Sequence, residues 1–409
     1  MDEEKKQPFS LESDGNSFDQ LFASIVNKLP INTSLSPLRY DLNAGVPDRE
    51  SLPATALLTA TEHVLSHDAG GALTYGGQQG YLPLREWIAA RTSRLSNIKI
   101  DADQVTLTSG SAHGLQNVAL TFLDPNDTVI LGAPTYPGAI RTFQARETNI
   151  VTVPQDAEGL LPEKLLATIR DLKEKAITPK LLYLIPTYDN PTGTTLPLER
   201  REAIIKIAHD NNILIVEDEA YAGLDFDGPP PPSFYSIAEG KGIIQLGTFS
   251  KTIASGLRVG WITSSQAIVK TLVHMRFDNG ASPFLHRIVL HFLESGEYIP
   301  HVTKLQSIYR ERRDATELSL RKHANPYIDF TKPNGGFFFW LSLKDPLTAD
   351  QLRSAAMKSN VAVTSGTTYF FGSGGENKIR LVFSALPPTD LENAVQILGN
   401  VMKTLVNNT

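Results

Sequence analysis

A lysine flanked by hydroxyl-bearing residues is the position in this sequence best suited to covalent chemistry. Lys251 lies between Ser250 and Thr252, with Thr248 close by and Arg258 seven positions later. An isolated lysine in a turn is usually a solvated surface charge. With hydroxyls and an arginine nearby, however, it has what a Schiff-base enzyme requires, which is a nucleophilic amine beside a site for a phosphate dianion.

A turn of small residues is a second candidate, in this case for anion binding. Segment 108–114 reads Thr-Ser-Gly-Ser-Ala-His-Gly, and a helical stretch follows it. The free backbone N–H groups at a helix start, here near Ser111 and Ala112, favour an anion. An ordinary strand-to-helix turn has the same composition, so both interpretations stay open for this motif alone. The G-x-G-x-x-G and P-loop spacings are absent, which removes the best evidence for a nicotinamide or ATP site.

Carboxylate, phenol and amide side chains follow two further apolar runs. Asp218 and Tyr221 come directly after one run, and Asn190 lies in Asp-Asn-Pro-Thr-Gly after another. Open α/β sheets bind ligands at the carboxyl ends of their strands, so these side chains and Lys251 are expected at one sheet edge. A solvated acidic loop and a plain turn are the alternatives for the two segments.

A largely parallel sheet is needed to bring these segments together, and the sequence predicts one from about residue 100. Short β-branched runs alternate with helical stretches, as in an α/β layer. Several runs are nearly all apolar, as expected of strands covered on both faces. A helix is predicted from Pro197 to Asn211. The seven predicted strands are Val105–Thr108, Thr128–Gly132, Ile150–Val153, Leu181–Ile185, Ile213–Glu217, Ile243–Gly247 and Val259–Thr263.

After Ser264 the pattern changes to longer helices and predicts a second, smaller α+β domain. The stretch from Pro283 to about Ala324 is predicted to contain an extended, partly charged helix. The fold class is therefore α/β, with a mostly parallel seven-stranded sheet in a large domain and a smaller C-terminal domain. The later elements predicted are strands over Gly335–Leu343 and Lys378–Ser384 and helices over Ala349–Lys358 and from Pro388 onward.

The composition of the chain excludes several classes of function. Its 409 residues are 41% hydrophobic and 20% charged, with a formal charge of −6 and no basic run, which argues against nucleic-acid binding. Without cysteine there is no disulfide, no thiolate catalysis and no cysteine-ligated zinc, and no metal site is expected. No apolar run reaches the roughly 20 residues that span a bilayer, and residues 1–15 contain no signal-peptide core. We expect a cytoplasmic protein without membrane or nucleic-acid partners.

Together these motifs resemble the class I and II aminotransferases of fold type I, which use pyridoxal 5′-phosphate. Similar sequence segments include Asn-Ala-Gly-Val-Pro-Asp from residue 43, Leu-Thr-Tyr-Gly-Gly-Gln-Gln-Gly-Tyr from residue 73 and Ala-Pro-Thr-Tyr-Pro-Gly from residue 133. These motifs are most similar to those of the branch that contains 2-aminoadipate and kynurenine aminotransferases. The similarity extends from about Asp41 to the C-terminus. The resemblance implies an enzyme that moves the amino group of an L-amino acid to a 2-oxo acid, with 2-oxoglutarate as the expected acceptor.

The resemblance also implies a role around the cofactor for each candidate residue. Lys251 is expected to form the aldimine with pyridoxal 5′-phosphate, and Asp218 to pair with the ring nitrogen and favour its protonated form. Other side chains are expected to contact the ring or to hold the phosphate. The ring contacts implied are Asn190, Tyr221 and Tyr136, and the phosphate contacts are Ser111, Ala112, Thr248, Ser250 and Arg258.

Substrate binding and assembly follow from the same resemblance. Arg380 matches the arginine that grips the substrate α-carboxylate in a bidentate pair, and Gly45 and Asn190 are expected beside the substrate. Tyr75 matches a tyrosine that reaches the phosphate of the neighbouring subunit, which implies a homodimer with composite active sites. The implied division is an N-terminal segment, 1–60, that contributes to the small domain and substrate mouth, a large cofactor-binding domain, 61–299, and a small domain, 300–409.

The sequence departs from the aminoadipate branch in two places, and alternatives stay open. Ala112 and His113 stand where that branch usually has Gln. That branch also has an arginine on an N-terminal helix that reads a distal carboxylate, whereas residues 17–30 here contain Lys28 as their only basic residue. The amino donor is therefore not predicted.

An enzyme with the same cofactor could instead be a C–S lyase, a β- or γ-replacement enzyme or an amino acid oxidase. A cofactor-binding sensor domain of a transcription regulator is the alternative outside enzymes, although the residues before Asn43 do not resemble a winged helix-turn-helix.

Overall fold

The computed structural model describes residues 12–13, 16–17, 21–26, 29 and 38–408, and the statements below concern these residues. Lys28 lies outside them. The strands described are β1 (Glu12–Ser13), β2 (Asn16–Ser17), β3 (Tyr40–Asp41), β4 (Val105–Thr108), β5 (Thr128–Ala133), β6 (Asn149–Asp156), β7 (Gly159–Leu160), β8 (Pro179–Leu184), β9 (Leu214–Asp218), β10 (Ile243–Thr248), β11 (Gly260–Thr263), β12 (Ile328–Phe330), β13 (Phe338–Leu343), β14 (Val361–Ala362), β15 (Thr364–Ser365) and β16 (Lys378–Val382). The α-helices described are α1 (Ala54–His67), α2 (Ala69–Ala72), α3 (Leu82–Ser96), α4 (Ser111–Phe122), α5 (Pro137–Ala145), α6 (Pro162–Glu174), α7 (Leu198–Asp210), α8 (Phe234–Ile237), α9 (Gln266–His274), α10 (Pro283–Glu294), α11 (Tyr298–His323), α12 (Ala349–Lys358) and α13 (Pro388–Asn407).

A sheet of eight strands, in the order β4-β11-β10-β9-β8-β5-β6-β7, organises the larger part of the molecule. Strands β10, β9, β8, β5 and β6 are parallel, whereas β11 is antiparallel to both of its neighbours and β7 is antiparallel to β6. Successive residues of β5 pack into different apolar clusters. Val129 and Leu131 belong to one cluster, and Ile130 belongs to the other. Both faces of the sheet are therefore buried, which explains the nearly continuous apolar runs in the sequence.

All seven predicted strands are present in this sheet, with small shifts at their ends, but the predicted number of strands is wrong. The eighth strand, β7, has only two residues, which is too short to show an apolar alternation in the sequence. It forms where the chain turns back on β6, at Gly159, whose φ of 95° is in the left-handed region. The predicted parallel arrangement holds for the strands whose carboxyl ends carry the candidate residues.

The helix predicted after Pro197 is α7, and the extended, partly charged helix predicted within the stretch from Pro283 to about Ala324 is α11. That stretch forms two helices, α10 and α11, separated at Ser295–Glu297. Gly296 has a φ of 82°, which a right-handed helix cannot accommodate. The second helix then runs for 26 residues and packs against α13.

A four-stranded antiparallel sheet, in the order β12-β13-β16-β15, forms the C-terminal part of the fold. Two predicted strand boundaries are corrected there. Strand β13 begins at Phe338 rather than Gly335, because Gly336 has a φ of 69° and Gly335 forms an isolated bridge with Asp225. Strand β16 ends at Val382 rather than Ser384, whereas α12 and α13 begin where the sequence predicts.

The segment around residues 40–51 is fixed to this C-terminal part. Strand β3 pairs in parallel with β14, and the Ser384 hydroxyl donates a hydrogen bond to the carbonyl oxygen of Val46 at 2.7 Å. Asp48 and Arg312 form a buried ion pair, with 2.8 Å between Oδ1 and Nη2. These contacts bring Asn43 and Gly45 to the edge of the large sheet. The domain boundaries given above stay a prediction.

Two kinds of feature are absent from the described residues. No helix in that part of the chain is long and apolar enough to cross a membrane. Likewise, no group of three or more His, Asp or Glu side chains among those residues is arranged to hold a metal ion.

Candidate active site

A cavity of about 280 Å³ lies at the carboxyl ends of the parallel strands, where the sequence analysis places the candidate residues. Every candidate except Tyr75 lines it, although the residues come from distant parts of the chain. The lining candidates are Gly45, Ser111, Ala112, Tyr136, Asn190, Asp218, Tyr221, Thr248, Ser250, Lys251, Arg258 and Arg380. Sequence reasoning missed four lining residues, Ile185, Ala220, Ser255 and Phe338. They are small, apolar or hydroxyl side chains without a chemical signature of their own.

The Lys251 amine reaches this cavity from the turn that follows β10. Its Nζ donates a hydrogen bond to the carbonyl oxygen of Gly45 at 2.8 Å. Burial, reinforced by the positive charges of Arg380 and Arg258, lowers the pKa of Lys251 to about 8. A substantial fraction of the amine is therefore neutral, and nucleophilic, near physiological pH.

Asp218, the last residue of β9, is buried at the floor of the cavity. Its Oδ2 accepts a hydrogen bond from the Tyr183 hydroxyl at 2.9 Å. Its Oδ1 is buried and has no hydrogen-bond partner among the described residues. Burial raises the pKa of Asp218 to about 6, against the lowering effect of the Tyr183 hydroxyl. A buried carboxylate oxygen without a partner is costly, so this atom fits a donor supplied by a ligand.

Opposite Asp218, a helix start, two hydroxyls and a guanidinium form a cradle for an anion. Helix α4 begins directly after Gly110, whose φ of 85° lies in the region that favours glycine. A Cβ at Gly110 would lie 2.6 Å from Nη2 of Arg258, so a side chain there would obstruct the guanidinium. The Thr248 and Ser250 hydroxyl oxygens are 2.8 Å apart, and Arg258 donates to the carbonyl oxygen of Ser109 at 3.2 Å.

A second guanidinium, that of Arg380 on β16, lies at the other end of the cavity. Its Nη1 donates to Oδ1 of Asn190 at 2.9 Å, and its Nη2 donates to the carbonyl oxygen of Asn43. The Phe338 and Tyr369 rings flank it, with centroids 4.7 and 5.1 Å from Cζ. Its Nε is buried and finds no hydrogen-bond partner in the described part of the chain. This guanidinium is thus held in place while part of its donor capacity is unused.

Aromatic side chains form the walls between these charged groups. Tyr136 caps the start of α5, and burial together with the charge of Asp218 raises the pKa of its phenol. Tyr221 packs edge-on against Phe338, with ring centroids 5.4 Å apart. A Cβ at Gly45 would come within 3.1 Å of the Phe338 ring. A side chain at this position would therefore press on a ring that lines the cavity.

Two residues discussed in the sequence analysis lie outside the cavity. Tyr75 is 88% exposed, and it is not among the described residues that line the site. His113 is a helix residue whose Nδ1 accepts a hydrogen bond from the backbone N–H of Ser109 at 3.1 Å, while its Nε2 is 3.8 Å from Asp278. Burial and the charge of Arg276 lower the pKa of His113.

Two contacts that complete the site are not evident from the sequence. Tyr183 is a hydroxyl-bearing residue in the otherwise apolar second half of β8, which is a weak signal of a buried hydrogen bond. Asn43 acts through its backbone carbonyl, for which the residue type gives no signal. Both interactions depend on which strands and segments become neighbours.

Comparison with known proteins agrees with this geometry. The family model described as "Aminotransferase class I and II" matches residues 40–398. The chain belongs to the class I and II aminotransferase family. This aminotransferase is 31% identical over 405 residues to 2-aminoadipate transaminase of Thermus thermophilus, a match that covers 97% of this chain and 98% of that protein.

A solved structure and a regulator are also similar to the chain. The crystal structure of LysN, the α-aminoadipate aminotransferase of Thermus thermophilus, complexed with N-(5′-phosphopyridoxyl)-L-leucine, superimposes with a TM-score of 0.84 at 30% identity, covering 95% of this chain and 96% of that one. An uncharacterized HTH-type transcriptional regulator of Bacillus subtilis, YdfD, is 29% identical over 384 residues, which are 93% of this chain and 77% of the regulator.

This aminotransferase depends on pyridoxal 5′-phosphate, and its fold is that of the fold type I enzymes. The cavity residues fit that cofactor in three respects. The buried Lys251 amine suits its aldehyde, the unpartnered Oδ1 of Asp218 suits a protonated ring nitrogen, and the cradle at Gly110 and Arg258 suits its phosphate.

Proposed function

We propose that the cavity binds pyridoxal 5′-phosphate with Lys251 as its covalent partner, and that the enzyme passes amino groups from an L-amino acid to a 2-oxo acid. When bound, the cofactor supplies an aldehyde that condenses with amines and a ring that accepts the electron pair left at the substrate α-carbon. The observation that carries the proposal is the buried Lys251 amine, whose pKa is lowered to about 8, in one cavity with the unpartnered oxygen of Asp218.

Asp218 has the role of holding a proton on the ring nitrogen. Its free Oδ1 would accept the ring N–H, and the buried position strengthens the attraction between carboxylate and cation. Asn190, Tyr221 and Tyr136, which line the same cavity, would hold the ring through their polar groups and through aromatic contact. The protonated ring would supply the electron-withdrawing group that amino transfer requires.

The start of α4 and Arg258 would hold the cofactor phosphate. The backbone N–H groups of Ser111 and Ala112 are in the first turn of α4, where the helix dipole favours negative charge. The hydroxyls of Thr248 and Ser250 and the fork of Arg258 would supply the other donors. These residues line the same cavity as Lys251, so a phosphate bound there would keep the cofactor within the cavity.

Lys251 has a second task after the amino acid has displaced it. Its neutral Nζ would take the proton from the substrate Cα and hold it until the proton is delivered to the cofactor carbon that carried the aldehyde. A pKa of about 8 suits both steps, because the group can accept and release a proton near neutral pH. The hydrogen bond to the carbonyl oxygen of Gly45 holds the amine in place before substrate arrives.

Arg380 and Asn190 bind the substrate α-carboxylate. The stacked guanidinium has an unused Nε donor, and a carboxylate can replace the carbonyl oxygen of Asn43 as its partner. The described cations that line the cavity are Lys251, Arg258 and Arg380, and each already has a role. The part of the cavity wall formed by Ile185 and Phe338 is apolar, so we propose that the amino donors have apolar side chains. The acceptor is a 2-oxo acid, and 2-oxoglutarate is among the acceptors if Arg380 rearranges.

Tyr75 is proposed to complete the phosphate site of a second copy of the chain. It is 88% exposed, and Leu58, Leu73 and Phe277 are 69%, 67% and 85% exposed, which is unfavourable unless a partner covers them. A Lys251→Ala chain and a Tyr75→Ala chain should each be inactive alone. Unfolding and refolding them together should restore activity through mixed dimers, and failure to do so contradicts composite sites.

Borohydride reduction in the presence of pyridoxal 5′-phosphate tests the covalent role of Lys251. Peptide mapping should find the reduced cofactor on Lys251 alone. Lys251→Arg should abolish labelling, whereas Lys378→Arg, which changes another partly buried lysine with a lowered pKa, should not. Label on other lysines, or none on the wild-type protein, contradicts the proposal.

The alternative reactions differ in their products. A C–S lyase or a replacement enzyme expels a group from the substrate side chain, an oxidase releases ammonia and peroxide, and a sensor domain binds without turnover. Similarity to an HTH-type regulator keeps the sensor as the second candidate.

We also propose a cytoplasmic location, consistent with the absence of cysteine and tested by fractionating cells.

A further inference from the structure

The hydroxyl of Tyr183 makes a buried hydrogen bond directly beneath the cavity. The side chain is fully buried in β8, and its hydroxyl donates to Oδ2 of Asp218 at 2.9 Å. Strands β8 and β9 are parallel, with Tyr183 in register with Val216. A strand packed in an apolar core would favour phenylalanine here, since a buried hydroxyl costs free energy unless it is hydrogen-bonded. The hydroxyl therefore has a function connected with Asp218.

We propose that Tyr183 is a positioning residue for amino transfer, which fixes Oδ2 of Asp218, leaves Oδ1 for the cofactor ring nitrogen and keeps the carboxylate charged. This inference rests on the proposed role of Asp218. It differs from that role because Tyr183 does not line the cavity and acts only through the carboxylate.

The charged groups around the pair determine what loss of the hydroxyl does. Asp218 and Lys251 line the same cavity and interact electrostatically. Tyr136 and Asp189 are near enough to act electrostatically on Tyr183. Arg258 and Arg380 act on Tyr136 from further away. Burial and the negative charges of Asp218 and Asp189 raise the pKa of Tyr183 well above its usual value. The phenol thus remains a donor throughout the physiological range.

The hydroxyl also opposes the effect of burial on Asp218. Burial raises the pKa of this carboxyl to about 6, and the hydrogen bond from Tyr183 lowers it. Without that bond the carboxylate becomes more basic. The proton shared with the cofactor ring then moves toward Asp218, and the ring loses its positive charge.

Phenylalanine can replace Tyr183 without a large rearrangement. A second cavity lined by Tyr183, with Asp189, Thr135 and Gln155 among others, measures about 10 Å³. That is close to the smallest volume that admits one water molecule. The Tyr183→Phe ring therefore keeps its position, and the lost hydroxyl is the main change.

The test compares the Tyr183→Phe holoenzyme with wild type by ¹⁵N NMR of protein loaded with pyridoxal 5′-phosphate labelled at the ring nitrogen. The ring nitrogen signal should move toward the unprotonated position in Tyr183→Phe. We expect kcat to fall about 10- to 100-fold, the size of a lost hydrogen bond to a charged group. The donor KM should stay within about threefold, since Arg380 is untouched. The matched control is Tyr235→Phe, which removes another buried hydroxyl, 3.4 Å from Gln104 and outside the cavity.

The outcomes separate this inference from the proposed function. If Asp218→Asn leaves the wild-type ring signal unchanged, the proposed role of Asp218 is wrong. If Asp218→Asn moves the signal but Tyr183→Phe matches the Tyr235→Phe control in signal and kcat, only the inference about Tyr183 is overturned. Should Tyr183→Phe not fold, 3-fluorotyrosine at position 183 gives a more acidic donor. The ring nitrogen signal should then move toward the protonated position, and a signal equal to that of wild type contradicts the inference.

Discussion

The lowered pKa of Lys251 predicts how fast the apoprotein captures pyridoxal 5′-phosphate as pH changes. Only the neutral amine attacks the aldehyde, so the capture rate follows the neutral fraction of Lys251. Burial and the charges of Arg380 and Arg258 move the pKa from 10.5 to about 8. At 1.36 kcal/mol per pKa unit this is roughly 3.4 kcal/mol in favour of the neutral form. At pH 7 the neutral fraction is then about 300 times that of an unperturbed lysine.

The assay mixes apoprotein with a fixed excess of cofactor between pH 6 and 10.5, stops the reaction with borohydride at set times, and counts reduced adduct by mass. The initial rate should rise about tenfold per pH unit and level off near pH 8. Arg380→Gln removes the largest charge effect on Lys251, so the midpoint should move to higher pH. Arg170→Gln, which changes an exposed arginine outside the cavity, should leave it in place. A rate that keeps rising to pH 10 refutes the reasoning, as does a midpoint that Arg380→Gln does not move.

Three further variants test other features of the site. Burial raises the folded-state pKa of Asp189 to about 7, so its contribution to stability is complete below pH 3.8 and disappears as pH rises through 7. In urea unfolding, the stabilisation of the apoprotein by Asp189→Asn should therefore be larger at pH 8 than at pH 5, by at most about 2.7 kcal/mol. Gly110→Ala places a Cβ 2.6 Å from Arg258 at a φ of 85°, and pyridoxal 5′-phosphate should bind roughly tenfold more weakly by fluorescence titration. Asp48→Asn leaves the buried Arg312 charge without its 2.8 Å partner and should lower the free energy of unfolding by roughly 3 kcal/mol; a loss under 1 kcal/mol in denaturant melts contradicts this.

The large sheet could be predicted from sequence because its strands are buried on both faces. Continuous apolar runs such as 128–132 mark strands whatever their neighbours are, and Pro197 marks a helix start for local reasons. The candidate residues follow strand ends, and parallel strands bring those ends to one edge. Lys251, Asp218 and Asn190 could therefore be grouped before any coordinates.

What escaped prediction depends on contacts between distant segments. The break between α10 and α11 follows from the φ of Gly296, which no periodicity reveals. The hydrogen bond from Tyr183 to Asp218 depends on the register of β8 against β9. The backbone carbonyls of Asn43 and Gly45 reach Arg380 and Lys251 because the chain before α1 is fixed to the C-terminal sheet.

Amino transfer itself is tested most directly by the half-reaction of the holoenzyme with a single amino acid and no acceptor. A panel of glutamate, aminoadipate, leucine, phenylalanine and kynurenine covers the donors at issue. For an accepted donor, each enzyme site should yield one equivalent of pyridoxamine 5′-phosphate and one of the matching 2-oxo acid, and Lys251→Ala should yield neither. Ammonia or peroxide in place of pyridoxamine 5′-phosphate, or binding without any conversion, contradicts amino transfer as the function of this cavity.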